Sequence, residues 1–83
     1  MFGVKLYGAD WCEDTRHARA FLERLGVDYK YVDIEQDERA AEWVREQNGG
    51  EERKPTVDVA GQILCAPTDH ELTSALRERG LMA

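Results

Sequence analysis

Phe2 to Tyr7 alternates apolar and polar positions and is rich in β-formers (Phe2, Val4, Leu6, Tyr7), which predicts a first strand, with Gly8 letting the chain turn. Asp10 followed by Glu13 has the form of a capping box, placing a helix start there and Cys12 within its first turn. Ala18, Phe21, Leu22 and Leu25 recur at i, i+3, i+4 and i+7, leaving Arg16, Arg19, Glu23 and Arg24 on the wet side, and Gly26 is the stop. Val27 to Ile34 reads as a second strand. One helix separates it from the first, so a βαβ crossover with parallel strands is the default.

Asp37 to Asn48 carries a weaker apolar face (Ala40, Ala41, Trp43, Val44) and ends on Asn48-Gly49-Gly50, predicting a second helix. A charged loop, Glu51 to Lys54, leads to Pro55. Two short apolar runs follow, Thr56–Val59 and Gln62–Ala66, and the two residues between them, Ala60-Gly61, predict an antiparallel hairpin. Thr68 with Glu71 repeats the capping-box pattern, and Leu72, Ala75 and Leu76 form the inner face of a last helix that stops at Gly80. The predicted order is βαβαββα: an α/β fold with a four-stranded mixed sheet flanked by helices.

Length and composition change this picture little. With 83 residues and 42% hydrophobic content, the chain is expected to form one domain, residues 1–83, around a single core. Two cysteines, no signal-like N-terminus and no apolar run of membrane length make a cytoplasmic chain with reduced thiols the expectation, with no membrane partner. The net charge of −6 argues against nucleic-acid binding, since the basic residues lie scattered among acids.

The candidate chemistry centres on Cys12. A helix N-terminus offers free N–H groups and partial positive charge, and both stabilise the thiolate, the nucleophilic form of cysteine. Asp10, Glu13 and Asp14 oppose ionisation, and Arg16 pulls the other way, so the Cys12 pKa is expected somewhat below that of a free thiol. The Thr15 hydroxyl lies one turn from the sulfur, within reach of a hydrogen bond. Trp11 either shields the thiol or forms a docking surface. Cys65, in the last strand, is expected to fill the core, with a second redox role as the alternative. His17 and His70 stand alone, and no metal site is expected.

The element order, a cysteine at the start of the first helix and a proline before the third strand together resemble the glutaredoxin branch of the thioredoxin fold. Four segments carry the resemblance, which spans nearly the whole chain: Tyr7-Gly8-Ala9-Asp10-Trp11-Cys12, Val32-Asp33-Ile34, Asn48-Gly49-Gly50 with Pro55-Thr56, and Pro67-Thr68-Asp69-His70-Glu71-Leu72. The resemblance implies a thiol–disulfide oxidoreductase with Cys12 as the catalytic residue. It also implies a cis peptide at Pro55, whose turned backbone would pair with a substrate's cysteine. Thr15 stands where many relatives carry a second cysteine, which excludes a dithiol cycle within the motif and leaves a monothiol one.

The implied co-substrate is a low-molecular-weight thiol (glutathione, mycothiol or bacillithiol), with protein or small-molecule mixed disulfides as partners and no tightly bound cofactor. Its carboxylate would meet Arg53 or Lys54. Its other end would meet Thr68 and Asp69, for which simple helix capping is the equal alternative. Two other functions are weighed: a carrier of a bridged [2Fe–2S] cluster, whose Cys-Gly-Phe-Ser signature is absent, and a non-catalytic binding or redox-sensing module. A monomer is expected.

Overall fold

A computed structural model describes residues 3–83. The observed elements are β1 (Val4–Gly8), α1 (Glu13–Arg24), β2 (Lys30–Asp33), α2 (Glu38–Gln47), β3 (Thr56–Val59), β4 (Gln62–Cys65) and α3 (Asp69–Glu78). They form one four-stranded sheet in the order β2-β1-β3-β4, with β1 and β2 parallel and the other neighbours antiparallel. This is the predicted order and the predicted mixed α/β architecture. Phe2, the predicted first strand residue, lies outside the described residues.

Period-two alternation divides the core between the two faces of the sheet. Val4 and Leu6 of β1 stand opposite Val59 and Val57 of β3, and all four are buried with Ala18 and Leu22 of α1 and Leu72, Ala75 and Leu76 of α3. On the other face Ile34 and Tyr7 pack with Ala41, Val44 and Trp43 of α2, and the Tyr7 and Trp43 rings lie 4.7 Å apart. Trp43 is therefore a packing residue. No helix among the described residues is long and apolar enough to cross a membrane.

Four boundaries differ from the pattern, each for a local reason. Gly8 is not the turn; it is the last residue of β1, and a Cβ there would fall 2.5 Å from the Thr15 side chain. The second strand begins at Lys30 rather than Val27, because Val27 belongs to the cap of α1. Its N–H bonds the Leu22 carbonyl at 3.1 Å and Gly26 takes a φ of 71°, the geometry of a Schellman motif. The last strand ends at Cys65, since Ala66 turns into the left-handed region (φ 46°) and gives its N–H to the Pro55 carbonyl at 2.8 Å. Asp10 does not cap α1.

Candidate active site

The segment between β1 and α1 is short because it is tightly closed. The Cys12 N–H bonds the Ala9 carbonyl at 3.1 Å, and the Cys12 carbonyl receives the Arg16 N–H at 3.0 Å, so Cys12 itself is the N-cap residue, with extended backbone (φ −79°, ψ 121°). Asp10 is thereby three residues ahead of the first helical residue, too far back to serve the free N–H groups of the first turn. Its carboxylate instead accepts from the Tyr31 hydroxyl at 2.7 Å and lies 3.8 Å from the Arg19 guanidinium, which stacks over the Tyr31 ring at 3.9 Å. Arg16 donates to the Asp10 carbonyl at 3.0 Å.

No side chain closes a hydrogen-bonded cap on α1, and the half-buried Cys12 thiol occupies the place where one would sit. Partial burial pushes its pKa up. The Thr15 hydroxyl and the N–H groups of Thr15 and Asp14 favour the thiolate and outweigh both that burial and the Asp14 charge, so the net shift is downward. Thr15 is fully buried and its oxygen accepts from the Ala9 N–H at 3.4 Å, which fixes the hydroxyl between strand and sulfur.

The Lys54–Pro55 peptide is cis, as the resemblance implies. The loop before it is held from beneath: Thr56 Oγ1 donates to the Arg53 carbonyl at 2.8 Å and receives the Asn48 side-chain amide at 3.3 Å. Trp11 is exposed over 60% of its surface, the one large apolar residue so placed among those described, and the Lys54 ammonium sits 5.3 Å from its ring centroid. Lys54 also lies 3.7 Å from Glu52, and Arg53 lies 3.4 Å from Glu51, so both cations of this loop already face a local acid.

Beside this loop a cavity of about 150 Å³ is lined by Asp14, His17, Ala18, Pro55, Ala66, Pro67, Asp69 and Leu72. Of the expected small-thiol residues, Pro55 and Asp69 are in its wall; Lys54 and Thr68 are not. Thr68 is spent on a complete capping box, its N–H donating to Glu71 at 2.8 Å and its hydroxyl receiving the Glu71 N–H at 3.1 Å. Asp69 accepts from His17 Nε2 at 2.8 Å. His17 is therefore not isolated, contrary to the reading from sequence. Its spacing of three from Asp14 places both on one side of α1, but that this side faces the start of α3 could not be read from periodicity. Among the described residues no group of three or more His, Cys, Asp or Glu side chains could hold a metal ion.

Cys65 is exposed rather than in the core. It pairs with Thr56, on the sheet face that α2 covers only near β1 and β2, and β4 is the opposite edge.

The family model for glutaredoxin matches residues 4–64. Mycoredoxin 1 of Corynebacterium glutamicum is 41% identical over 58 residues, covering 69% of this chain and 70% of the relative. The solved structure of a glutaredoxin from Archaeoglobus fulgidus superposes with a TM-score of 0.81 at 24% identity, covering 93% of this chain and 88% of the other. A buckwheat glutaredoxin in complex with glutathione superposes at 0.77 with 16% identity, covering 98% and 82%. These two structures share the fold.

Proposed function

Since this chain belongs to the glutaredoxin family of thiol–disulfide oxidoreductases, we propose that it turns over by a monothiol cycle on Cys12, with a low-molecular-weight thiol as co-substrate. The Cys12 thiolate attacks the small-thiol sulfur of a mixed disulfide; a Cys12–small-thiol bond forms, the original disulfide breaks, and the departing thiolate takes a proton from solvent. A second small-thiol molecule, as thiolate, attacks the small-thiol sulfur bound to Cys12. The small-thiol disulfide leaves, Cys12 returns as thiolate, and the net reaction converts one mixed disulfide and one free small thiol into the released substrate thiol and the small-thiol disulfide.

One observation carries this reading: the half-buried, unpaired Cys12 stands at the uncapped head of α1, and the position one turn on, where a resolving sulfur would have to stand, is the buried Thr15. In this proposal Trp11 and the cis-Pro55 loop frame the attacking sulfur, Lys54 holds Trp11, Arg16 braces the Asp10-Trp11 turn, and Asp69 faces the small thiol. Thr68 acts by fixing the start of α3. The buckwheat structure contains glutathione and the bacterial relative is a mycoredoxin, so glutathione and mycothiol are the two thiols to compare. The test is reduction of a peptide mixed disulfide of each thiol by the full chain. Activity lost in Cys12→Ser and retained in Cys65→Ser is expected; activity that needs Cys65 would overturn the monothiol cycle.

A further inference from the structure

We propose that Glu52 and Arg45 are positioning residues for Trp11: acting through Lys54, they hold the indole as a fixed wall beside Cys12 against which the polypeptide half of a mixed disulfide rests. The inference deepens the monothiol reading above and rests on it. Four charged side chains of alternating sign run from α2 to the indole. Arg45 Nη2 donates to Glu38 Oε1 at 2.8 Å, two turns back on the same helix, and Arg45 Nη1 donates to Glu52 Oε2. Glu52 turns its other oxygen, Oε1, to Lys54 Nζ at 3.7 Å. The ammonium of Lys54 ends the row, 5.3 Å from the centroid of the Trp11 ring.

Each member depends on the one before it. The Lys54 side chain is only 16% exposed, and an ammonium that has lost much of its water is drawn more strongly to a carboxylate and to the face of an indole. Glu52 by itself would be an acid in a solvated loop, worth little as an ion pair. Arg45, anchored to Glu38 by its second nitrogen, fixes the direction of that acid and with it the place of the ammonium. The row thus ties the Trp11 turn to the Pro55 loop and to α2.

Trp11 directly precedes Cys12, its Cα about 3.8 Å away across one peptide, and most of its side chain is exposed. A polypeptide whose disulfide reaches the Cys12 sulfur passes within reach of that side chain; a two-carbon thiol in the same disulfide ends short of it. An exposed side chain free to rotate is immobilised at each encounter, and one already seated on Lys54 has lost that freedom beforehand, a gain of about two- to tenfold in affinity. Neither Glu52 nor Arg45 lines the cavity beside Pro55, and neither is among the groups that set the Cys12 thiol. The gain therefore falls on polypeptide substrates.

The experiment uses the full chain and two mixed disulfides of one small thiol, one with a cysteine peptide and one with 2-mercaptoethanol, each made with glutathione and, separately, with mycothiol. Glu52→Gln and Arg45→Gln are expected to raise KM for the peptide compound about two- to tenfold with little change in kcat, and to leave turnover of the 2-mercaptoethanol compound as in wild type. Lys54→Met should likewise raise KM for the peptide compound, and Lys54→Arg, which restores the cation, should recover it. In a Trp11→Ala background Glu52→Gln should no longer move the ratio of the two compounds. Nuclear relaxation of the Trp11 indole N–H should report a more mobile ring in Glu52→Gln than in wild type.

Turnover with an unchanged ratio in Glu52→Gln and Arg45→Gln, an indole equally ordered in wild type and Glu52→Gln, or a shift in ratio that persists without Trp11 overturns the inference and leaves the monothiol cycle standing. Absence of turnover with every compound overturns the monothiol reading and the inference with it. Circular dichroism identifies a variant that fails to fold, and Glu52→Gln, a change at an exposed loop residue, then carries the comparison alone.

Discussion

Gly8 and Thr15 touch with no room for a methyl group between them: a Cβ on Gly8 would lie 2.5 Å from both Cγ2 and Oγ1 of Thr15. The strand that ends at Gly8 and the helix that begins after Cys12 are thus pressed together at the residue whose hydroxyl supports the thiolate. Gly8→Ala forces Thr15 aside. It is expected to cost about 1–3 kcal/mol by overpacking, measured by urea unfolding, and to slow alkylation of Cys12 at neutral pH. Normal stability with normal alkylation would show that the contact relaxes freely.

Thr15→Val keeps the shape and removes the hydroxyl. The buried Ala9 N–H loses its acceptor, which costs about 1–3 kcal/mol. The sulfur loses one of the groups that lower its pKa. A lowered thiol pKa means a larger thiolate fraction at a given pH below it, so the midpoint of the alkylation rate against pH should lie below that of an unperturbed thiol in wild type and move upward in Thr15→Val. A midpoint that stays put would assign the activation to the helix N–H groups alone.

The Asp10 carboxylate is drawn to Tyr31 and Arg19, on the β2 side of the molecule. Burial first, and then this hydrogen bond, push the Tyr31 pKa well up, so the phenol remains a donor through the alkaline range where Cys12 is assayed. Tyr31→Phe releases an anion two residues from the sulfur. Cys12 alkylation at pH 7 should slow, by less than about threefold because the released charge is solvated. The effect should vanish when Asp10→Asn is added, and a double-mutant cycle measures that coupling.

The capping box of α3 is expected to show in the acid limb of stability. Glu71 is held below the usual carboxylate range by the Thr68 N–H and hydroxyl. A depressed folded pKa means its contribution is fully present above the unfolded carboxylate pKa of about 4.3 and is lost as pH falls through the lower folded value. Thr68→Ala should cost about 1 kcal/mol at pH 7 and flatten this part of the profile. Thermal melts from pH 7 to pH 3 read both effects, and an identical pH slope in the two proteins would contradict the assignment.

Ala60 and Gly61 both have positive φ, 50° and 97°, in the two-residue turn between Val59 and Gln62. Alanine is ill suited to the first of these positions, and asparagine tolerates it. Ala60→Asn should therefore stabilise the chain by up to about 1 kcal/mol, seen as a higher denaturation midpoint with unchanged Cys12 reactivity. A lower midpoint would mean that the alanine methyl makes packing contacts that outweigh its backbone cost.

Much of this molecule was legible from local pattern. The order of elements, the parallel pairing of β1 with β2, the hairpin through Ala60-Gly61 and the Thr68–Glu71 box all depend on residues a few positions apart or on the length of a single crossover, and all are present. The places of Cys12 at the head of α1 and of Thr15 one turn later are equally local. Cys65 was misjudged because alternation names a face of the sheet without saying how far a helix extends across it. Asp10 was misjudged because a capping box is a spacing, and the closed turn makes Cys12 the N-cap and puts Asp10 two residues ahead of it.

What distance along the chain conceals is which surfaces meet. The Cys12 sulfur, its helix terminus and the Thr15 side chain follow from backbone geometry within one turn, so residue order suffices to place them. His17 beside Asp69, Lys54 over Trp11 and Tyr31 on Asp10 join residues 52, 43 and 21 positions apart. The first exists because burying the apolar faces of α1 and α3 against one sheet sets the approach of their polar rims, and the other two because the pairing of β1 with β2 and β3 brings the loop after β1 beside Tyr31 and the loop before β3.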